Sequence, residues 1–191
     1  MAEAREGARP KVGNAQLVDK YYRQTGLPTI WCPGCGIGIV TNALVRAIDK
    51  LGINQDDVVI VTGIGCSGFI YNYLNFDGYH GTHGRALAAA TGIKLAKPQL
   101  KVIVPMGDGD CAAIGGNHFI HAARRNIDLT AIVINKSIYG MTGGQYSPMT
   151  PRASRASTAP LGHLERALDI TELARAAGAT YVARGTTYHV R

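Results

Sequence analysis

The chain has 191 residues, 46% of them hydrophobic and 17% charged, with a formal net charge of +7. That composition belongs to an ordered globular protein, long enough for one domain that buries roughly 70% of its unfolded surface, and excludes a disordered one. The lack of any apolar run of about eighteen residues excludes a membrane-spanning helix, and basic residues scattered without interleaved aromatics argue against a nucleic-acid partner.

Residues 1–24 read as a polar lead-in without the apolar stretch of a signal peptide, which predicts a cytoplasmic protein, and residues 25–191 read as one domain. YYRQTGLPTIWCPGCG is turn-rich. GIVTNALVRAIDKLGI has apolar residues at helical spacing and ends at Gly52, a C-cap. DDVVIVTGIG is a continuous apolar run, as expected of a strand buried on both faces. GRALAAATGIKLAKP predicts a helix stopped by Pro98, and KVIVPM a second buried strand that Pro105 places near its end. CAAIGGNHFIHAARRN is the next helix and LTAIVIN the third strand. KSIYGMTGGQYSPMTPRASRASTAPLG has no period and predicts a long loop, after which TELARAAGA and TYVARG predict a helix and a strand. The sequence then stops at TTYHVR with no helix to cover that strand, which predicts a domain truncated at its C-terminus.

This alternation predicts an α/β fold, a parallel sheet flanked by helices on both faces. Right-handed crossovers then bring TGIGCSG, GDGD and NKSIYGMTGGQ to one edge, where such sheets bind ligands. GDGD follows a strand and opens a helix, so free N–H groups and the helix dipole favour an anion there. Aspartates would repel a bare diphosphate but suit one that carries a hard divalent cation. Asp108 is the better ligand candidate; Asp110 could instead cap the helix. Asn135, at the end of the next strand and about 27 residues beyond Asp108, completes the spacing of a thiamine diphosphate signature, although alone it would be a turn residue.

The four cysteines point to metal or redox chemistry in a reducing compartment. Cys32 and Cys35 form a C-x-x-C in a Pro-Gly turn, and Cys66 lies in GIGCSG; zinc, a dithiol and an iron–sulfur cluster all use such residues. Cys111 reads as a small buried residue at a helix start. His83, in a glycine-flanked loop, is a candidate for contact with cofactor or substrate carboxylate, with Arg85 as helper.

WCPGCG, GIGCSG, YHGTHGRALAAATGIKLAKP, GDGDCAAIGGNHFIHAARRN and NKSIYGMTGGQYSPMTP together resemble the β subunit of 2-oxoacid:ferredoxin oxidoreductases, from about residue 25 to the end. NFDGYHGTHGRA and YGMTGGQYSP are most similar to the members that act on 2-oxoglutarate. The resemblance implies a thiamine diphosphate-binding fold over 25–191 that holds thiamine diphosphate, Mg²⁺ and one [4Fe–4S] cluster. It also implies a hetero-oligomer with an α (or fused αγ) subunit, and the reversible, coenzyme A-dependent oxidative decarboxylation of 2-oxoglutarate to succinyl-CoA with reduction of ferredoxin. Carried over by residue, Cys32, Cys35 and Cys66 are cluster ligands, and Asp108 and the Ile138 carbonyl are magnesium ligands, to which the spacing of the signature adds Asn135. Gly63, Ile64, Gly65, Cys66, Ser67, His83, Gly107, Asp108, Gly109, Asp110, Asn135, Tyr139, Gly140, Met141 and Thr142 line the cofactor, and His83 and Arg85 are the catalytic pair.

Two departures stand out. The family pairs two asparagines before IYG, whereas this chain has Asn135-Lys136, and in strict register Lys136 takes the ligand position. The fourth cluster cysteine of the family lies beyond residue 191. The alternatives are a pyruvate or branched-chain 2-oxoacid enzyme of the same family, or a non-catalytic basic module with zinc on the C-x-x-C.

Overall fold

The computed structural model describes residues 15–189. Residues 1–14 of the expected lead-in lie outside the described residues. The remainder of it is built into the domain: helix α1 (Ala15–Tyr21) buries Tyr21 and leads Tyr22 into the core. Helix α2 (Gly36–Lys50) ends as predicted, with Gly52 at φ +62° and its N–H on the Asp49 carbonyl. Strand β1 (Val58–Thr62) is buried at every position. A 3-10 turn (Cys66–Phe69) and the short helix α3 (Ile70–Tyr73) lead to strand β2 (Asp77–His80), then helix α4 (Ala86–Ala96) and strand β3 (Lys101–Gly107). A π-helical turn (Asp110–Ile114) precedes helix α5 (Gly116–Arg124), strand β4 (Thr130–Ile134), the hairpin β5 (Ile138–Tyr139) and β6 (Gln145–Tyr146), and helix α6 (Ile170–Ala176).

The sheet has the order β2-β1-β3-β4, and all its pairs are parallel. Alternate residues feed two cores. Val59, Val61, Val102, Val104 and Met106 pack on one face with α4, α5 and α6; Val58, Ile60, Ile103 and Ile134 pack on the other with α1, α2 and α3. Each fully buried Val, Ile or Met side chain contributes about 1.5–3 kcal/mol by leaving water, so the three apolar strands alone commit the chain to this sandwich. Among the described residues no helix is long and apolar enough to cross a membrane.

The structure differs from the sequence prediction in four places. β2 was not predicted: DGYH is exposed at the sheet edge and lacks the apolar run of a central strand. TYVARG forms no strand. Arg184 is drawn to Asp169 at the start of α6, 2.6 Å away, and Tyr181 is exposed, so the segment runs past α6 instead of along β4. The predicted helix from Cys111 is divided at Gly115, where a Cβ would stand 2.2 Å from the Asp110 carbonyl oxygen. The segment after β4, expected to be a loop throughout, contains the hairpin of β5 and β6, in which Ile138 pairs with Tyr146 and Tyr139 with Gln145.

Every strand-to-helix loop opens on the carboxyl edge of the sheet. The helix-to-strand turns, residues 51–57, 97–100 and 125–129, lie on the opposite edge.

Candidate functional site

A cleft of about 140 Å³ lies on the carboxyl edge, with walls drawn from all four strand-end loops. The loop after β1 contributes Ile64, Gly65, Cys66 and Ser67, and the loop after β2 contributes His83. Gly107, Asp108, Gly109 and Asp110 come from the end of β3, and Lys136 with Ile138–Thr142 from beyond β4. The residues predicted for cofactor contact and catalysis thus converge with three exceptions. Gly63, Arg85 and Asn135 are not in the wall.

Each exception has a local cause. Gly63 sits behind the wall, where a Cβ would collide with the Asp110 carboxylate at 2.4 Å. Arg85 is exposed and donates from Nη1 to the His83 carbonyl at 2.7 Å, bracing its own loop. Asn135 is exposed, and its Oδ1 accepts from the Ser137 N–H at 2.9 Å and the Ser137 hydroxyl at 3.3 Å, an Asx turn. Lys136 occupies the wall instead.

Asp108 is 1% exposed and held from two sides. Its Oδ1 accepts the Lys136 N–H at 3.3 Å, and its Oδ2 accepts the hydroxyl of Ser147, itself buried. Neither bond excludes a further ligand, since a carboxylate has about four lone-pair positions. Tyr139 lies across the glycine turn: a Cβ on Gly109 would stand 2.1 Å from its ring. Burial, then the charges of Asp108 and Asp110, push the Tyr139 hydroxyl above its usual range.

Asp110 caps no helix. It reaches back to the other loops, where its Oδ1 accepts the Gly84 N–H at 2.5 Å and lies 3.0 Å from His83 Nδ1. Burial pushes this carboxyl up; the Gly84 N–H, His83, the Ile64 N–H and His80 oppose that in decreasing order.

The Ser67 hydroxyl is buried in the cleft wall and, among the described residues, has no hydrogen-bond partner. A buried hydroxyl without a partner costs about 1–3 kcal/mol, which a ligand oxygen in the cleft would recover. Glycine backbone, the orphan hydroxyl and the Lys136 ammonium fit a diphosphate. A magnesium ion fits through Asp108 and the Ile138 carbonyl, because Mg²⁺ keeps several waters and accepts one or two carboxylates plus phosphate oxygens. Asn135, facing Ser137, supplies no oxygen to the cleft wall here.

The cysteines divide into two groups. The Trp31 indole N–H donates to the Cys66 carbonyl at 2.8 Å and ties the Cys32–Cys35 turn to the wall of the cleft. Cys32 is exposed, Cys35 and Cys66 are half-buried, and all are free thiols. They offer three of the four thiolates that an iron–sulfur cluster uses. Cys111 does not supply the fourth: it is 0% exposed, and burial, then Asp110 and Asp108, push its thiol up to about 12. Among the described residues no three His, Cys, Asp or Glu side chains converge on one point, and this holds for Cys32, Cys35 and Cys66 as well.

A parallel sheet whose carboxyl edge offers glycine N–H groups, a spare hydroxyl and an ammonium around a buried carboxylate defines a diphosphate-binding α/β domain. Residues 63–190 match the family model described as thiamine pyrophosphate enzyme, C-terminal TPP binding domain, and the chain belongs to that family.

The chain is 63% identical over 171 residues to the 2-oxoglutarate synthase subunit KorB of Archaeoglobus fulgidus, a match that covers 90% of this chain and 64% of that protein. It is 59% identical to the subunit of the same name from Methanocaldococcus jannaschii, over 89% of this chain and 63% of that one. Among solved structures it is similar to the 2-oxoglutarate:ferredoxin oxidoreductase from Magnetococcus marinus with 2-oxoglutarate, coenzyme A and succinyl-CoA bound. The TM-score is 0.83 at 40% identity, over 86% of this chain and 56% of that one. The resemblance and the fold class drawn from the motifs are borne out, and the chain spans less than two thirds of the length of these relatives.

Two contributors escaped the sequence reading. Ser147 is one serine in a loop without periodicity, and only the fold brings it to Asp108. The link between Asp110 and the loop after β2 depends on a strand that polar DGYH did not betray.

Proposed function

We propose that this chain is the thiamine diphosphate-binding β subunit of a 2-oxoglutarate:ferredoxin oxidoreductase. The observation that carries the proposal is the Ser67 hydroxyl, buried without a partner in a glycine-lined cleft beside Asp108 and Lys136. The family match supports the cofactor, and the names of the similar proteins support the 2-oxo acid.

Ser67, the N–H groups of Gly65, Gly107 and Gly109 and the Lys136 ammonium would bind the diphosphate, and Asp108 with the Ile138 carbonyl would hold the magnesium. Asp110 keeps the loops after β1 and β2 closed on the β3 turn. Tyr139 and Met141 add an apolar side to the cleft wall. When bound, thiamine diphosphate supplies the carbanion chemistry by which a 2-oxo acid loses carbon dioxide. Cys32, Cys35 and Cys66 hold the iron–sulfur cluster, whose chemistry is one-electron transfer. The overall reaction takes 2-oxoglutarate, coenzyme A and oxidised ferredoxin to succinyl-CoA, carbon dioxide and reduced ferredoxin, reversibly. An α (or αγ) subunit completes the site.

The test is anaerobic purification of the complex with its partner subunit, followed by assay of iron, sulfide and thiamine diphosphate and comparison of 2-oxoglutarate with pyruvate turnover. The proposal expects a brown protein with all three components and a preference for 2-oxoglutarate. A colourless protein with zinc and no thiamine diphosphate would overturn it, and faster turnover of pyruvate would overturn the substrate assignment alone.

A further inference from the structure

Two acceptor oxygens meet one ring nitrogen of His83. Its Nδ1 lies 3.0 Å from Asp110 Oδ1 and 3.2 Å from the Ile64 carbonyl oxygen. A carbonyl can only accept, whatever the state of its neighbours, and Asp110 Oδ1 already accepts the Gly84 N–H at 2.5 Å. Nδ1 must therefore carry a proton, and in the neutral ring Nε2 is then the lone-pair nitrogen. The side chain is 26% exposed and forms part of the cleft wall, with the Tyr139 ring centroid 6.2 Å from its own. Asp110 is buried behind it and is fixed in turn by main-chain N–H groups of Gly84 and Ile64.

This places the carboxylate and the imidazole in different roles. Asp110 binds two loops and the inner nitrogen of His83; the outer nitrogen of His83 has no hydrogen-bond partner among the described residues. We propose that Asp110 is a positioning residue that fixes His83 as its Nδ1–H tautomer, so that Nε2 meets the bound ligand as a hydrogen-bond acceptor. The partner of the neutral ring is then a ligand hydroxyl or amine. A substrate carboxylate, which can only accept, does not pair with it, and Arg85 is turned onto the His83 carbonyl. Both points depart from the roles the sequence suggested. The role of Nε2 rests on the cleft being the ligand site proposed above; the tautomer does not.

The test is magic-angle-spinning NMR of the assembled complex labelled with ¹⁵N-histidine, without added cofactor, at a pH where the imidazoles are neutral. His83→Gln assigns the His83 signals. The expected spectrum has a protonated Nδ1 and an unprotonated Nε2. Asp110→Asn can place its amide oxygen at the Oδ1 position, on the Gly84 N–H and Nδ1–H together, and should keep the tautomer; in Asp110→Leu that acceptor is lost, only the Ile64 carbonyl faces Nδ1, and the Nε2–H form should appear beside it. Turnover should then fall by about 10–100-fold, with the KM for the 2-oxo acid little changed. Wild-type His83 carrying its proton on Nε2, or an Asp110→Leu variant that keeps the Nδ1–H tautomer alone, would overturn the proposal. If the variant does not fold, the wild-type spectrum decides. A complex that binds no thiamine diphosphate yet shows the Nδ1–H tautomer would sink the cofactor reading and leave the tautomer assignment intact.

Discussion

The Ser147 hydroxyl donates to Asp108 Oδ2 across 39 positions of sequence, and both side chains are buried. The bond joins the segment after β6 to the turn after β3, and the Met149 N–H on Ser147 Oγ at 3.2 Å keeps the hydroxyl proton directed at the carboxylate. Ser147→Ala removes the donor and leaves a buried carboxylate oxygen short of one bond. We expect a loss of about 1–3 kcal/mol in urea unfolding. Ser147→Cys, with a weaker donor, should fall between alanine and wild type.

Gly109 is constrained by its neighbour and not by its backbone, whose φ of −68° any residue adopts. A methyl group there meets the Tyr139 ring. Gly109→Ala should displace Tyr139 from the cleft and weaken thiamine diphosphate binding on the order of tenfold or more, about 1.4 kcal/mol, by calorimetry. Tyr139→Ala in the same background should cancel the stability cost of the methyl group, a coupling that a double-mutant cycle measures.

Lys136 brings a positive charge to a place where a magnesium site benefits from an oxygen. Lys136→Asn should raise the magnesium affinity of the thiamine diphosphate complex by roughly tenfold and weaken cofactor binding in chelator by a similar factor. Titration of cofactor with and without magnesium checks both. Equal magnesium dependence in the two proteins would remove Lys136 from the site.

The thiolate is the reactive form of cysteine, so a raised thiol pKa means slower alkylation at any given pH. Cys111, pushed up to about 12 and fully buried, should remain unlabelled by iodoacetamide at mildly alkaline pH until the protein unfolds. Exposed Cys32 should react first in the cluster-free protein. Cys111→Ala should leave the iron content unchanged, whereas Cys32→Ser, Cys35→Ser and Cys66→Ser should each reduce it.

Asp169 caps α6 and pairs with Arg184. The Thr171 hydroxyl, the Arg184 guanidinium and the Glu172 N–H hold its carboxyl well below the ordinary 3.8. Because the value is depressed in the fold, its stabilisation is fully present above the unfolded value and is lost as pH falls through the folded one. The difference in urea midpoint between wild type and Asp169→Ala should be clear at neutral pH and close in strong acid.

The strands β1, β3 and β4 and the edge that carries the chemistry were legible in the sequence, because all three are apolar runs, although β4 buries only Ile134, and strand ends in a parallel sheet share one rim. The same rule brought Asp108 to the cleft wall, although a lone GDG reads more often as a plain turn. Local signals failed where tertiary contacts decide. DGYH pairs with β1 through its backbone, which needs no apolar side chains, and TYVARG has a strand's composition but follows Arg184 to Asp169. Asn135 and Lys136 are adjacent, and spacing alone could not say which side chain faces the cleft. The Asx turn with Ser137 decides it. The tautomer of His83 needed a carbonyl from another loop, invisible in any one-dimensional pattern.

The turns at 51–57, 97–100 and 125–129 close the opposite rim of the sheet, one strand length away from the groups that line the cleft. That rim is where the molecule can be handled. An affinity tag, a fluorophore or a surface tether placed beside Pro98 or Asn126 meets neither the cleft nor the cysteines of the Trp31 turn. Immobilisation through it would leave the cleft pointing outward, open to molecules arriving from solution.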